Sequence, residues 1–220
     1  MSAPYPVRHV PHAVIATRDG LRLSAALFLP DAPGDGPFPA ALDAVPYRKD
    51  DDFRATDWDT YAALAALGVA GVRLDLRGTG SSEGVLADEY TAAEHDDCED
   101  AIAWIAAQPW CNGRVGMTGV SWGGFNAVQV AMRRPAALGA IAPIHWSADR
   151  YGCDVHMVGG TLQALELVEW PGGMVVENAL PPRRAHVGDE AFERLWRQRL
   201  DETPQWPLGW LGRQRRDAYG

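Results

Sequence analysis

Runs of apolar residues broken at regular turn signals divide this chain into short segments, and their periods switch between strand-like and helix-like. Residues 7–17 and 21–29 read as strands, and Arg18-Asp19-Gly20 between them predicts a β-hairpin. The Pro-, Gly- and Asp-rich stretch 31–39 reads as a loop. AALDAV (40–45) follows as a short buried strand ending at Pro46, and Thr56 or Asp57 caps a helix through WDTYAALAAL that Gly68 stops. A strand over 69–76 leads into RGTGSSEG (77–84), a loop beyond its C-terminal end. Residues 88–107 read as a helix whose buried stripe is Cys98, Ala101, Ile102 and Ile105, at i, i+3, i+4 and i+7, with the acids on its outer face. A strand over 114–120, a helix over 122–132 and a strand over 138–144 complete the alternation.

Strands and helices alternating at this spacing predict an α/β fold, with a mostly parallel sheet, helices on both faces and an antiparallel hairpin at the N-terminus. From 147 onward the alternation stops, and five of the nine tryptophans fall at 146 or later. The sequence therefore divides into a sheet-bearing part, 1–146, and a part of loops and helices lying over the sheet, 147–220.

Composition narrows the possibilities. With 220 residues, 47% of them hydrophobic, the chain can bury one sizeable core. No apolar run approaches the ~20 residues of a membrane span. A net charge of −9 argues against nucleic-acid or anionic-membrane partners. Cys98, Cys111 and Cys153 form no CxxC pair and read as reduced thiols. The N-terminal residues show no secretory pattern, so a cytoplasmic location is expected.

The strongest chemical signal is Gly119-Val120-Ser121-Trp122-Gly123-Gly124, which fits G-x-S-x-G between a predicted strand and a predicted helix. A nucleophile elbow needs that context, because a sharp turn must hold the serine hydroxyl clear above the sheet. The helix starting at Trp122 offers free N–H groups to a developing oxyanion. Tyr47, in VPYRKDD beyond an earlier strand, belongs on the same rim of the sheet and could donate a second hydrogen bond there. Lys49, the only lysine in the chain, reads as a solvated loop charge. DLRGTGSSEG (75–84) lacks the lysine and spacing of a phosphate loop and reads as a brace for the rim. HDDCED (95–100) spreads its acids around a helix and reads as a solvated face rather than a metal cluster.

Together, the opening hairpin, VPYRKDD, DLRGTGSSEG, GRVGMTGVSWGG and DRYGCDVHMVGG resemble the CocE/NonD serine hydrolases, a family of cocaine esterase, X-Pro dipeptidyl-peptidase and α-amino-acid ester hydrolase types. The resemblance implies an α/β-hydrolase sheet that cleaves a small ester or a peptide or other amide through an acyl-Ser121 intermediate. Tyr47 hydroxyl and Trp122 N–H would form the oxyanion hole. It also implies that 147–220 begins a helical cap, with Asp149 and Asp154 near where the cap meets the pocket. No metal or organic cofactor is implied.

The triad of this fold runs in the order Ser, acid, His, the last two on loops after later strands. Only one strand, 138–144, is predicted after Ser121, and His145, His156 and His186 all fall in the wrong place for the base. The sheet is thus expected to be incomplete, with 138–144 as an unpaired apolar edge. The alternative expectation is a truncated or split-gene fragment, inactive alone or complemented by a separate C-terminal chain.

Overall fold

The computed structural model describes residues 4–210 apart from 33, 35, 52 and 53. Strands β1 (Val7–Ala16), β2 (Arg22–Pro30), β3 (Phe38–Val45), β4 (Ala70–Asp75), β5 (Cys111–Val120) and β6 (Leu138–Ile144) form one sheet in the order β1-β2-β4-β3-β5-β6. The first three are joined antiparallel as β1-β2-β4, and β4, β3, β5 and β6 run parallel. This is the predicted mostly parallel sheet with its antiparallel lead-in.

Helix α1 (Arg54–Ala66) covers one face, where Tyr61 and Ala65 meet Ala26 and Phe28 of β2. Helices α2 (Ala92–Ala106) and α3 (Trp122–Arg133) cover the other. There Leu27, Leu42, Val72, Leu74, Ile102, Met117 and Trp122 join a continuous buried core. The α2 stripe is buried as the period requires, with Cys98, Ala101, Ile102 and Ile105 at 1% exposure or less. The helix starts later than the sequence pattern suggests, because the Thr91 hydroxyl accepts a hydrogen bond from Glu94 N (3.2 Å) and fixes the N-cap there.

Beyond the sheet, a two-strand ribbon of β7 (Met157–Val158) and β8 (Thr161–Leu162) interrupts what the sequence presented as loops and helices. Helices α4 (Glu166–Ala179), α5 (Arg184–Val187), α6 (Asp189–Glu202) and α7 (Trp206–Gly209) follow. Met174, Trp206 and Trp210 of this segment pack into the same core as Trp122. Two buried arginines fasten it to the sheet's rim. Arg48 donates to the Leu180 and Pro181 carbonyls, and Arg199 of α6 donates to those of Leu180, Gly80 and Ser82.

The outer side of β6 has no partner strand among the described residues, and the strand carries Ile141 and Ile144 at 37% and 46% exposure. The expected open apolar edge is present. No helix among the described residues is long and apolar enough to cross a membrane.

Candidate active site

Strand β5 delivers Ser121 to its C-terminal end, and α3 leaves from the next residue. Ser121 has φ 56° and ψ −111°, a conformation that L-residues adopt only under strain. Its N–H donates to Ile144 O (2.9 Å), so the turn is pinned to the end of β6. The flanking glycines are steric requirements. A Cβ on Gly119 would lie 2.6 Å from Gly123 Cα, so strand and helix can approach this closely only without side chains. Trp122 is the first residue of α3, where helix geometry leaves the backbone N–H without an intrahelical acceptor.

Behind the elbow lies a carboxylate. Glu94 is fully buried, and its Oε1 accepts from Trp122 Nε1 (2.6 Å) and Asn126 Nδ2 (2.7 Å). Asn126 Nδ2 also reaches Ala44 O (2.9 Å), which ties α3 to β3. Burial pushes the Glu94 pKa up to about 7.

Tyr47 follows β3, the parallel neighbour of β5, and its ring meets the Trp122 ring edge-on at 6.4 Å. The sheet thus brings Tyr47 and the elbow to one rim. Burial, and the nearby Glu89 carboxylate, raise the Tyr47 pKa, so the phenol keeps its proton and its donor capacity. A hydrogen bond joins its side chain to that of Trp170. Trp170 and Trp206 pack on Trp122 at 6.1 and 6.0 Å, which makes the wall between cap-like segment and core largely aromatic.

The histidines after Ser121 are engaged elsewhere or exposed. His156 lies between Glu166 Oε2 (3.0 Å) and Glu89 Oε1 (3.3 Å). The ring of His186 stacks on His12 at 4.7 Å, with Nδ1 3.1 Å from Asp50 Oδ2. His145 directly follows β6, exposed and with φ 54°. Among the described residues, no imidazole or carboxylate hydrogen bonds the Ser121 hydroxyl. Asp149 caps its own turn at Tyr151 N and Gly152 N, and Asp154 pairs with Arg150 (2.6 Å).

Two of the charge readings need correction. Lys49 is not solvated: it is 3% exposed, with Nζ 2.6 Å from Asp50 Oδ2 and 3.2 Å from Pro11 O. Nor does HDDCED form a wholly solvated face, because Asp97 is fully buried against Arg77 (2.6 Å). Its remaining acids, Asp96, Glu99 and Asp100, hold Arg18 and Arg133 at the surface. The 75–84 loop does brace the rim. Asp75 accepts from Lys49 N (2.8 Å) and Ser81 N (3.1 Å), closing the loop beneath the cap-like segment.

A strained serine between the end of a parallel strand and a helix, over a sheet with this order, places the fold in the α/β-hydrolase class. Solved structures agree. A CocE/NonD family hydrolase from Staphylococcus aureus superposes with a TM-score of 0.67 at 25% identity, over 90% of this chain and 38% of its own. An α-amino acid ester hydrolase does so with a TM-score of 0.61 at 25% identity, over 77% of this chain and 30% of its own. In sequence, the cocaine esterase of Rhodococcus sp. is 38% identical over 160 residues, 72% of this chain and 27% of that protein. The chain belongs to the X-Pro dipeptidyl-peptidase (S15) family, whose model matches residues 19–220. It spans about a quarter of the length of the curated relatives it matches.

Proposed function

We propose that this chain supplies the nucleophile and oxyanion hole of a serine hydrolase that cleaves ester or peptide and other amide bonds. The single observation behind this is the strained Ser121 at the elbow, with Tyr47 on the adjoining strand's rim. Ser121 Oγ attacks the substrate carbonyl carbon, and the carbonyl oxygen becomes an oxyanion held by Trp122 N–H and Tyr47 O–H. Collapse of this tetrahedral species expels the alcohol or amine and leaves acyl-Ser121, which water then hydrolyses.

A serine hydroxyl needs a base to be a good nucleophile near neutral pH. Among the described residues none hydrogen bonds the Ser121 hydroxyl in that role, and we infer that the base and its orienting acid come from sequence beyond the described residues. Either more of the same polypeptide or a separate C-terminal chain would serve. The open β6 edge favours this reading, since two further strands laid against it would carry loops toward Ser121.

The relatives include a cocaine esterase, an α-amino acid ester hydrolase and a family described by X-Pro dipeptidyl-peptidase activity. An aryl ester, an α-amino acid ester and an Xaa-Pro anilide therefore form the test panel. Turnover of one of them by the completed enzyme, abolished by Ser121→Ala, is the expected result. Equal turnover by the Ser121→Ala protein would refute the assignment. The chain assayed by itself should keep no more than the ~10³–10⁴-fold acceleration that an oxyanion hole and binding give without a triad.

A further inference from the structure

A cavity of about 290 Å³ opens on the α1 face of the sheet, between α1, the β1–β2 edge and the 183–186 segment. None of its lining residues belongs to the elbow or its oxyanion donors. One wall is aromatic: the His9 ring lies 4.7 Å from Phe28 and 5.2 Å from Trp58, and Phe28 lies 5.7 Å from Trp58. Burial lowers the pKa of His9, so near neutral pH its ring contributes a flat, uncharged surface.

The other walls carry Lys49, Arg54, Arg73 and Arg183 with Asp50 and Asp57, and Asp75 and Asp43 lie close behind, 3.8 Å from Lys49 Nζ and 3.9 Å from Arg73 Nη1. Arg73 carries the unfilled donor of the site. It is 3% exposed in the middle of β4, and its Nε donates to Asp57 Oδ2 (2.9 Å). Its Nη1 has no hydrogen-bond acceptor among the described residues, with Asp43 Oδ2 3.9 Å away. Burying a guanidinium with its donors unfilled is costly unless anionic charge lies close by. Asp57 and Asp43 supply that charge, and the unfilled Nη1 donor leaves one hydrogen bond for a ligand oxygen to complete. Arg54 and Arg183 stand at the exposed rim; Arg183 Nη1 donates to Asp50 O (3.2 Å), which holds its guanidinium over the cavity mouth with its other donors available to a ligand.

The volume is at the small end of the ~300–1,000 Å³ typical of ligand sites, which suits a single ring. We propose that this cavity binds a small aromatic carboxylate, its ring against His9, Phe28 and Trp58 and its carboxylate toward Arg54, Arg183 and Arg73. The site is separate from Ser121, and the proposal does not depend on the hydrolase reading.

The test is ligand-observed NMR titration of the 220-residue chain with benzoate, with the isosteric neutral benzamide and with inorganic phosphate. Benzoate should bind saturably, with benzamide and phosphate each about tenfold weaker or more, since one lost charged or stacking contact is worth roughly 1.4 kcal/mol. The double variant Arg54→Gln/Arg183→Gln, altered only at exposed guanidinium groups, should weaken benzoate about tenfold. Trp58→Ala should do the same, whereas Ser121→Ala should leave binding unchanged. Equal affinity for benzoate and benzamide would overturn the proposal. So would loss of binding in Ser121→Ala, or full binding in the double arginine variant.

Discussion

Glu94→Gln isolates the charge buried behind the elbow while keeping the side chain's shape and an oxygen to accept from Trp122 Nε1 and Asn126 Nδ2. In the folded chain the carboxyl has its pKa raised from an ordinary 4.5 to about 7 by burial. Between those two pH values the native state therefore binds more protons than the unfolded chain. Stability contributed by this group is present below pH 4.5 and is lost as pH rises toward 7. The gap, at about 1.4 kcal/mol per pH unit, amounts to roughly 3 kcal/mol. Gln cannot ionise, so the variant should lack this decline.

Urea unfolding of both proteins at half-unit steps from pH 4 to pH 8 measures the difference directly. Subtracting the two curves removes the contributions of other titrating groups, including His156 and His12. Wild type and variant should be nearly equal in stability at pH 4, with the variant ahead by roughly 3 kcal/mol at pH 8. A difference that stays flat across the range would show that Glu94 does not titrate there. A variant that loses ground as pH rises would mean that the ionised carboxylate is stabilising, and the burial argument would be wrong.

Tyr47→Phe removes one oxyanion donor and should lower kcat of the completed hydrolase by ~10²–10³-fold with little change in KM, measured by steady-state ester turnover. An unchanged kcat would exclude the phenol from the oxyanion hole. Arg199→Met takes the donors from three carbonyls, and burial beside Arg48 already draws this guanidinium's pKa down to about 10. A loss of about 2–4 kcal/mol is expected in urea unfolding, together with faster proteolysis in 181–205 than in the sheet. Ile141→Lys places a charge on the open edge strand and should raise the protein concentration at which light scattering reports aggregation. Equal aggregation by the two proteins would mean that β6 is not the sticking edge.

The elements that position the elbow were legible because each depends on local signals. The i, i+3, i+4 stripe fixed the buried face of α2, and glycines around a serine between strand and helix marked the turn that the structure strains to φ 56°. The buried charges were harder to read because their partners are distant in sequence. Glu94 falls four residues before Cys98, on the same stripe. An acid on an apolar face was thus a visible anomaly, but its partners lie on α3. Arg73 likewise interrupts an apolar strand, and only the fold shows that α1 brings Asp57 to it. Lys49 looked solvated because its neighbours are Arg and Asp; burial beneath Pro11 of β1 is a tertiary fact that no local pattern carries.

The most direct test of Ser121 as nucleophile is mass-spectrometric mapping of a fluorophosphonate adduct on the protein expressed in its native host. Trypsin cutting after Arg114 and Arg133 releases the elbow as one peptide, 115–133. A phosphonate on Ser121 within that peptide is the expected result. An adduct on any other residue, or no adduct at all, would contradict the assignment.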